Sequence, residues 1–176
     1  MQFTNAAIDQ ESLPRIEDVP LTPVQRSYLT VLRIEWLLTS IILLLIAAIL
    51  VYFIPALQQL LGFSIITASA LIIVAFYRFM LEKNFPFHAY AIREKDVISQ
   101  RGWIMRTVKI SPNNRIQNCS VQSGPLERKY GLASLIIYTA GSDQADMRIP
   151  GLMQEEAERL RHYILQKIHA EDHEEL

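Results

Sequence analysis

The chain has 176 residues, of which 51% are hydrophobic, and its 17 Lys and Arg nearly balance its 18 Asp and Glu. The net charge of −1 argues against a nucleic-acid-binding protein and against a disordered acidic chain. The single cysteine, Cys119, excludes a disulfide framework and a multi-cysteine zinc site.

The first 20 residues are polar and include Pro14 and Pro20, which predicts a flexible N-terminal leader over residues 1–20. In residues 21–35 the apolar side chains recur at helical spacing. Thr22 followed by Pro23 is typical of an N-cap and the first position of a helix. We therefore expect an amphipathic helix over residues 21–35, directly before the most apolar part of the chain.

Residues 36–77 contain no Asp, Glu, Lys, Arg or His. The run over residues 36–54 is interrupted only by Thr39 and Ser40, and as a helix it spans about 28 Å, close to the hydrocarbon thickness of a bilayer. Pro55 and Gly62 flank the break before a second apolar run. The sequence therefore predicts a transmembrane hairpin over residues 36–82, with helices at about 36–55 and 60–79, and hence a juxtamembrane position for residues 21–35.

Cations are concentrated at one end of this hairpin. They precede the first helix and follow the second, whereas the connecting loop has none: Arg15, Arg26, Arg33, Arg78, Lys83, Arg93 and Lys95. By the positive-inside rule both termini of this multi-pass protein are expected on the cytoplasmic side of the membrane. Because neither helix contains an ionisable group, the sequence offers no proton relay or ion pathway.

After the hairpin, short apolar runs alternate with turn signals at a spacing typical of small antiparallel sheets. The expected strands cover residues 87–93, 97–101, 103–110, 115–121, 135–140 and 147–149. Residues 153–169 have the periodicity of an amphipathic helix. We therefore expect a membrane-anchored α+β protein in which a cytoplasmic domain over residues 83–170 forms an antiparallel roll or barrel capped by a C-terminal helix, followed by an acidic tail over residues 171–176.

The expected domain is electrostatically asymmetric. Between Arg93 and Lys129 there are 8 cations and 3 acids, whereas residues 155–176 hold 3 cations and 7 acids. A basic strand face beside an anionic leaflet gains about 1 kcal/mol per well-placed cation. Candidate residues for contact with lipid head groups or a protein partner are Arg101, Trp103, Arg106, Lys109 and Arg115, with Met105 among them. The alternatives are an ordinary solvated sheet edge and, for Arg115, a structural role on backbone carbonyls.

The sequence carries no signature of catalysis. It lacks the nucleophile elbow, the phosphate-binding loop, the HExxH zinc motif and the CxxC motif. His162, His169 and His173 are read as a solvated helix tail, and Cys119 as a small buried side chain. We therefore predict a protein that is not an enzyme, with no cofactor, no metal site and no evident small-molecule substrate.

Five sequence segments, taken with the two apolar helices, resemble the bacterial pleckstrin-homology-like (PH-like) membrane proteins, a family of unknown function, over about residues 20–169. The segments are DVISQRG at 96–102, ISPNNRIQ at 110–117, RKYGL at 128–132, IYTAG at 137–141 and IPGL at 149–152. The resemblance implies a PH-like roll with a C-terminal helix on the inner face of the membrane. It further implies, for some members, a larger relative with repeated copies of the domain and a role in tolerance of membrane-active peptides.

These observations lead to a first hypothesis, in which the cytoplasmic domain is an assembly or interaction module for a membrane-protein partner or a second copy of the chain. The second hypothesis is a module that binds anionic lipid head groups through a basic strand face. An enzyme acting on membrane substrates is a third.

Overall fold

The structure is a computed structural model, and it describes residues 19–55, 59–140 and 145–174. The elements in chain order are β1 (Thr22–Pro23), α1 (Arg26–Phe53), α2 (Leu60–Asn84), β2 (Ala89–Ile92), β3 (Asp96–Arg101), β4 (Thr107–Pro112), β5 (Ile116–Gln122), α3 (Pro125–Lys129), β6 (Leu132–Thr139), β7 (Met147–Met153) and α4 (Gln154–Glu174). Single turns of 3₁₀-helix at Phe85–Phe87 and Asn113–Arg115 join α2 to β2 and β4 to β5.

The two long helices form a hairpin that is held together at one end by polar contacts. The Trp36 indole N–H donates to the Val74 carbonyl at 3.1 Å, and the Arg33 and Arg78 guanidinium groups both contact the Glu82 carboxylate. Most of their large apolar side chains are exposed: Ile42, for example, is 57% exposed. Both helices are long and apolar enough to cross a membrane.

The helix boundaries differ from those predicted from the sequence. A separate helix over residues 21–35 is not present, because Thr22–Pro23 is a strand, paired with β2, and α1 begins at Arg26. The segment is held extended by backbone bonds from the Val24 N–H to the His88 carbonyl and from the Gln25 N–H to the Gly151 carbonyl. Thr22 and Pro23 are therefore not a helix cap and first helical residue. Residues 1–18 of the predicted leader and residues 56–58 of the predicted turn lie outside the described residues.

The remaining strands form two antiparallel sheets. The first has the order β1-β2-β3-β4 and the second β5-β6-β7. The expected α+β fold with a C-terminal helix is confirmed, but the sheets do not close into a barrel: within the described residues β4 pairs only with β3, and β5 only with β6. A cluster of apolar residues fills the space between the sheets and α4, with Val97, Leu135, Ile137, Ile149 and Ile164 at most 1% exposed.

Two strand predictions also need correction. Residues 103–110 are not one strand, because β4 begins at Thr107 and residues 102–106 form a loop. Residues 147–149 are the start of a longer strand, β7, which continues to Met153 and is followed at once by α4. Helix α4 runs to Glu174 and so includes residues 171–174 of the predicted acidic tail.

The N-terminal part of α1 packs against the domain, and the rest of the helix extends away from it. Val31 is fully buried, and Gly151 of β7 lies so close to Tyr28 that a Cβ atom at residue 151 would come within 2.6 Å of the ring. The first turns of α1 are therefore part of the fold of the domain, and the hairpin and the sheets are joined by packing as well as by the chain.

Candidate functional site

The most exposed apolar feature outside the two long helices is the loop between β3 and β4. We call residues 102–106 the hairpin tip. Ile104 is 70% and Met105 is 82% exposed, and Trp103 is partly exposed. These exposed apolar side chains are flanked by Arg101 and Arg106. Such a surface suits a membrane interface, where hydrocarbon meets anionic head groups.

The hairpin tip is fixed to the end of α2. The Trp103 backbone N–H donates to the Asn84 Oδ1 at 2.7 Å, and the Trp103 ring stands edge-on to the Phe79 ring with 6.0 Å between centroids. The Lys83 ammonium lies 5.8 Å from the same Phe79 ring. These contacts place the tip beside the last two turns of the apolar helix.

Backbone geometry explains why the tip is a loop and not a continuation of the strand. Gly102 has φ +95°, a region that disfavours side chains, and a Cβ atom there would lie 2.1 Å from the Met105 carbonyl oxygen. The Trp103 N–H, moreover, is used by Asn84 and not by a neighbouring strand. The five-residue loop therefore turns its apolar side chains out of the sheet.

The structure brings three of the five candidate residues together at the hairpin tip, places Lys109 farther along the same strand pair and separates Arg115 from the others. Arg101 and Trp103 lie at the hairpin tip, and the Arg106 guanidinium lies 5.4 Å from the Phe87 ring. Lys109 is within β4, where its ammonium donates to the Asp146 carbonyl at 2.5 Å. Arg115 follows β4, at the end of that strand remote from the tip, about 20 Å away at the rise of a six-residue strand.

The role of the five residues in lipid or partner binding remains a prediction, but the geometry divides them. Arg101, Trp103 and Arg106 form one local surface. The Arg115 backbone carbonyl accepts the Ala140 N–H at 2.9 Å, and Arg115 belongs to the connection between the two sheets. The sequence analysis misses three residues of this surface. Ile104 is one of its exposed apolar side chains, Asn84 tethers the loop to α2, and Phe87 lies against the Arg106 guanidinium. The sequence places Ile104 in a strand, and no local pattern links Asn84 to a loop that begins 18 residues later.

The Cys119 thiol offers little nucleophilic chemistry. Cys119 is buried beside α4, where its Sγ lies 3.6 Å from the Arg161 carbonyl, and burial raises the pKa of the thiol to about 11. A thiol with that pKa is protonated at neutral pH and is a poor nucleophile. Among the described residues, no three His, Cys, Asp or Glu side chains are placed to hold a metal ion.

Comparisons with known proteins agree with this architecture. The family model of the bacterial PH domain matches residues 27–168. The UPF0699 transmembrane protein YdbS of Bacillus subtilis (strain 168) is 39% identical over 72 residues. That alignment covers 41% of this chain and 43% of the Bacillus protein, so the matched part spans less than half of the relative. No solved structure matches the chain.

The match to the family model covers both long helices, both sheets from β2 onward and most of α4. It agrees with the resemblance seen in the sequence, and the relative is named a transmembrane protein. The chain is a membrane protein that belongs to the bacterial PH domain family.

Proposed function

We propose that α1 and α2 cross the bacterial inner membrane as a hairpin, with both termini in the cytoplasm, and that the PH domain serves there as a non-enzymatic interaction module. The outward apolar side chains of both helices need an apolar surrounding, which the domain does not supply. Arg26, Arg33, Arg78 and Lys83 all lie at the domain end of the hairpin, which supports a cytoplasmic location for that end.

The first partner of this module is the lipid surface of the inner leaflet. The observation that supports it is the edge-on contact between Trp103 and Phe79, because it puts the hairpin tip level with the end of a membrane helix. Phe79 precedes the last residue of α2 by about 8 Å of helix. In this arrangement Ile104 and Met105 enter the interfacial region, and Arg101 and Arg106 meet anionic head groups at about 1 kcal/mol each.

The depth of Trp103 tests this proposal. In full-length protein reconstituted into vesicles, a Trp36→Phe variant leaves Trp103 as the fluorescent tryptophan. We expect lipids brominated near the glycerol level to quench it strongly and aqueous acrylamide to quench it weakly. Converting both Arg101 and Arg106 to Glu should reduce the lipid quenching, because it replaces attraction to an anionic leaflet by repulsion, although the contacts with Asn84 and Phe79 still hold Trp103 beside α2.

Lys95→Glu is the matched control. Lys95 is an exposed cation at the opposite end of β3 from the tip, so its reversal makes the same kind of charge change at a single position and leaves the tip intact. The lipid proposal is overturned if acrylamide quenches Trp103 as it does an exposed tryptophan and brominated lipids do not.

Assembly with another membrane protein is the second candidate function, and the observation that favours it is the free edge of β4. Among the described residues this strand pairs only with β3, and Ile110 within it is 49% exposed. An unpaired edge with an exposed apolar side chain suits the addition of a strand from a second PH-like domain. We propose as partner a membrane protein carrying that domain; the role in tolerance of membrane-active peptides stays a prediction from the family resemblance.

Purification from gently solubilised membranes tests the assembly surface. We expect a PH-like membrane protein to co-purify in stoichiometric amount with the wild type, and Ile110→Lys to remove it. Met153→Lys is the control, because Met153 is 45% exposed but belongs to the other sheet. Mass spectrometry identifies the partner. Assembly through β4 is contradicted if the partner co-purifies equally with both variants, or if it is lost from both.

A further inference from the structure

A cleft separates β3 of the first sheet from β7 of the second, at the place where α1 joins the domain. Its larger part has a volume of about 210 Å³ and a smaller part about 100 Å³, and Ser99, Arg101 and Arg148 line both. We call this space the intersheet cleft. At roughly 30 Å³ per water molecule, the larger part alone holds the volume of about seven waters. The cleft exists because the two sheets do not close into a barrel.

The charge on the walls of the intersheet cleft is positive. Among the residues that the structure describes, three cations line it, Arg101, Lys109 and Arg148, against one carboxylate, Asp146. That carboxylate is already engaged, since it accepts the Thr139 hydroxyl at 2.8 Å and lies 3.9 Å from the Lys109 ammonium. The described lining of the larger part contains no acid.

The two arginines retain most of their capacity to bind an anion. Among the described residues, the Arg101 side chain has no hydrogen bond or ion pair. One terminal nitrogen of Arg148 donates to the Ser134 hydroxyl at 3.1 Å and lies 3.7 Å from the Glu127 carboxylate. The other N–H groups of that guanidinium are left for the cleft, where its side chain is half exposed.

The cleft lies at the junction of the domain and the membrane helices. Tyr28, in the first turn of α1, and His88, directly after the 3₁₀ turn that follows α2, are both on its wall. The His88 Nδ1 is 3.1 Å from the carbonyl of Asn84, the last residue of α2. With both helices in the bilayer, the cleft lies at the end of the domain that faces the inner leaflet.

We propose that the intersheet cleft binds the phosphate group of an anionic phospholipid between Arg101 and Arg148. The inference rests on the proposed membrane arrangement, since it needs the cleft at head-group level. Phosphate is the anion that a bilayer presents there, and guanidinium groups bind it through paired charge-assisted hydrogen bonds. The contact differs from that of the hairpin tip, because it is a saturable site for one lipid and not a general attraction to a charged surface.

The test uses full-length protein in a non-ionic detergent, with short-chain phosphatidylglycerol as the probe and thermal unfolding as the readout. Binding to the folded state raises the Tm in a saturable manner. We expect Arg101→Gln and Arg148→Gln each to weaken the affinity about tenfold or more, as expected for the loss of a charge-assisted hydrogen bond. Ala89→Leu, which fills the wall of the cleft without changing a charge, should also weaken it. Arg106→Gln, at the tip, should leave it unchanged.

Two further probes distinguish the source of the phosphate. Inorganic phosphate that raises the Tm as strongly as the lipid overturns the lipid assignment and leaves a site for a soluble phosphate. Short-chain phosphatidylcholine that does so shows that the site does not select anionic lipids. No saturable shift with any probe, or a shift that survives both Arg→Gln variants and Ala89→Leu, overturns the cleft site. The depth of Trp103 in vesicles is measured separately, so a failure of the cleft site can be distinguished from a failure of the proposed membrane arrangement.

Discussion

Gly151→Ala is expected to lower the free energy of unfolding by about 2–5 kcal/mol. Gly151 has φ +69°, which costs a residue with a side chain about 1–2 kcal/mol. Its new Cβ would lie 2.6 Å from Tyr28 Cγ and 2.8 Å from Tyr28 Cβ, and relieving such a clash in a packed interface costs about 1–3 kcal/mol more. The strand end and α1 would be pushed apart where the helix is seated on the domain. Denaturant unfolding in detergent, followed by circular dichroism, measures the loss.

Gly131→Ala is a closely matched control. Gly131 has φ +66°, almost the same backbone conformation, but a Cβ there meets no atom within 4 Å. It should therefore cost only the conformational part, about 1–2 kcal/mol. The difference between the two losses in the free energy of unfolding therefore measures the cost of the contact with Tyr28. Equal losses would show that the seat of α1 on β7 contributes nothing to stability.

Glu127→Ala is expected to cost about 3 kcal/mol, because it removes the acceptor from a buried polar cluster. Glu127 is 6% exposed; its Oε2 accepts the Gly124 N–H at 2.9 Å and its Oε1 accepts the Ser134 hydroxyl at 2.9 Å. Without the carboxylate, the Gly124 N–H loses the bond that closes the start of α3, and Ser134, which is fully buried, loses its acceptor. The same unfolding measurement applies.

Glu127→Gln separates the hydrogen bonds from the charge. The side-chain carbonyl of Gln keeps one acceptor in place, so we expect well under half of the loss seen with Ala. The ion pair itself contributes little, since the Arg148 side chain is 54% exposed and its nitrogen is 3.7 Å from the carboxylate. A Gln variant as unstable as the Ala variant would instead assign the stability to the negative charge.

The sequence predicts the large features of this fold because each depends on many residues. The absence of charge over residues 36–77 needs no knowledge of tertiary contacts, and it locates both apolar helices. The alternation of apolar runs and turns likewise predicts antiparallel strands before a final helix. By contrast, Thr22 and Pro23 look like the start of a helix, and only their pairing with Tyr90 and Ala89, far along the chain, makes them a strand.

The candidate site is predicted less well because single long-range contacts decide it. Trp103, Ile104 and Met105 are good strand residues, so their composition favours continuing β4 through them. What excludes them from the strand is the conformation of Gly102 and one hydrogen bond from Asn84, neither of which has a periodic signal. The short helix α3 is missed for a related reason: it covers only Pro125–Lys129, too few residues for a helical periodicity, and Glu127 closes its first turn.

The seating of α1 on the domain has a mechanical consequence. The helix is continuous from Arg26 to Phe53, and the strand just before it, Thr22–Pro23, is hydrogen-bonded into a sheet. Between Thr22 and Phe53 there is therefore no flexible hinge, and the domain and α1 change their orientation together. Membrane helices tilt when the thickness of the bilayer departs from their apolar length. If α1 crosses the bilayer as proposed, a change in bilayer thickness that tilts the helix would therefore tilt the domain with it.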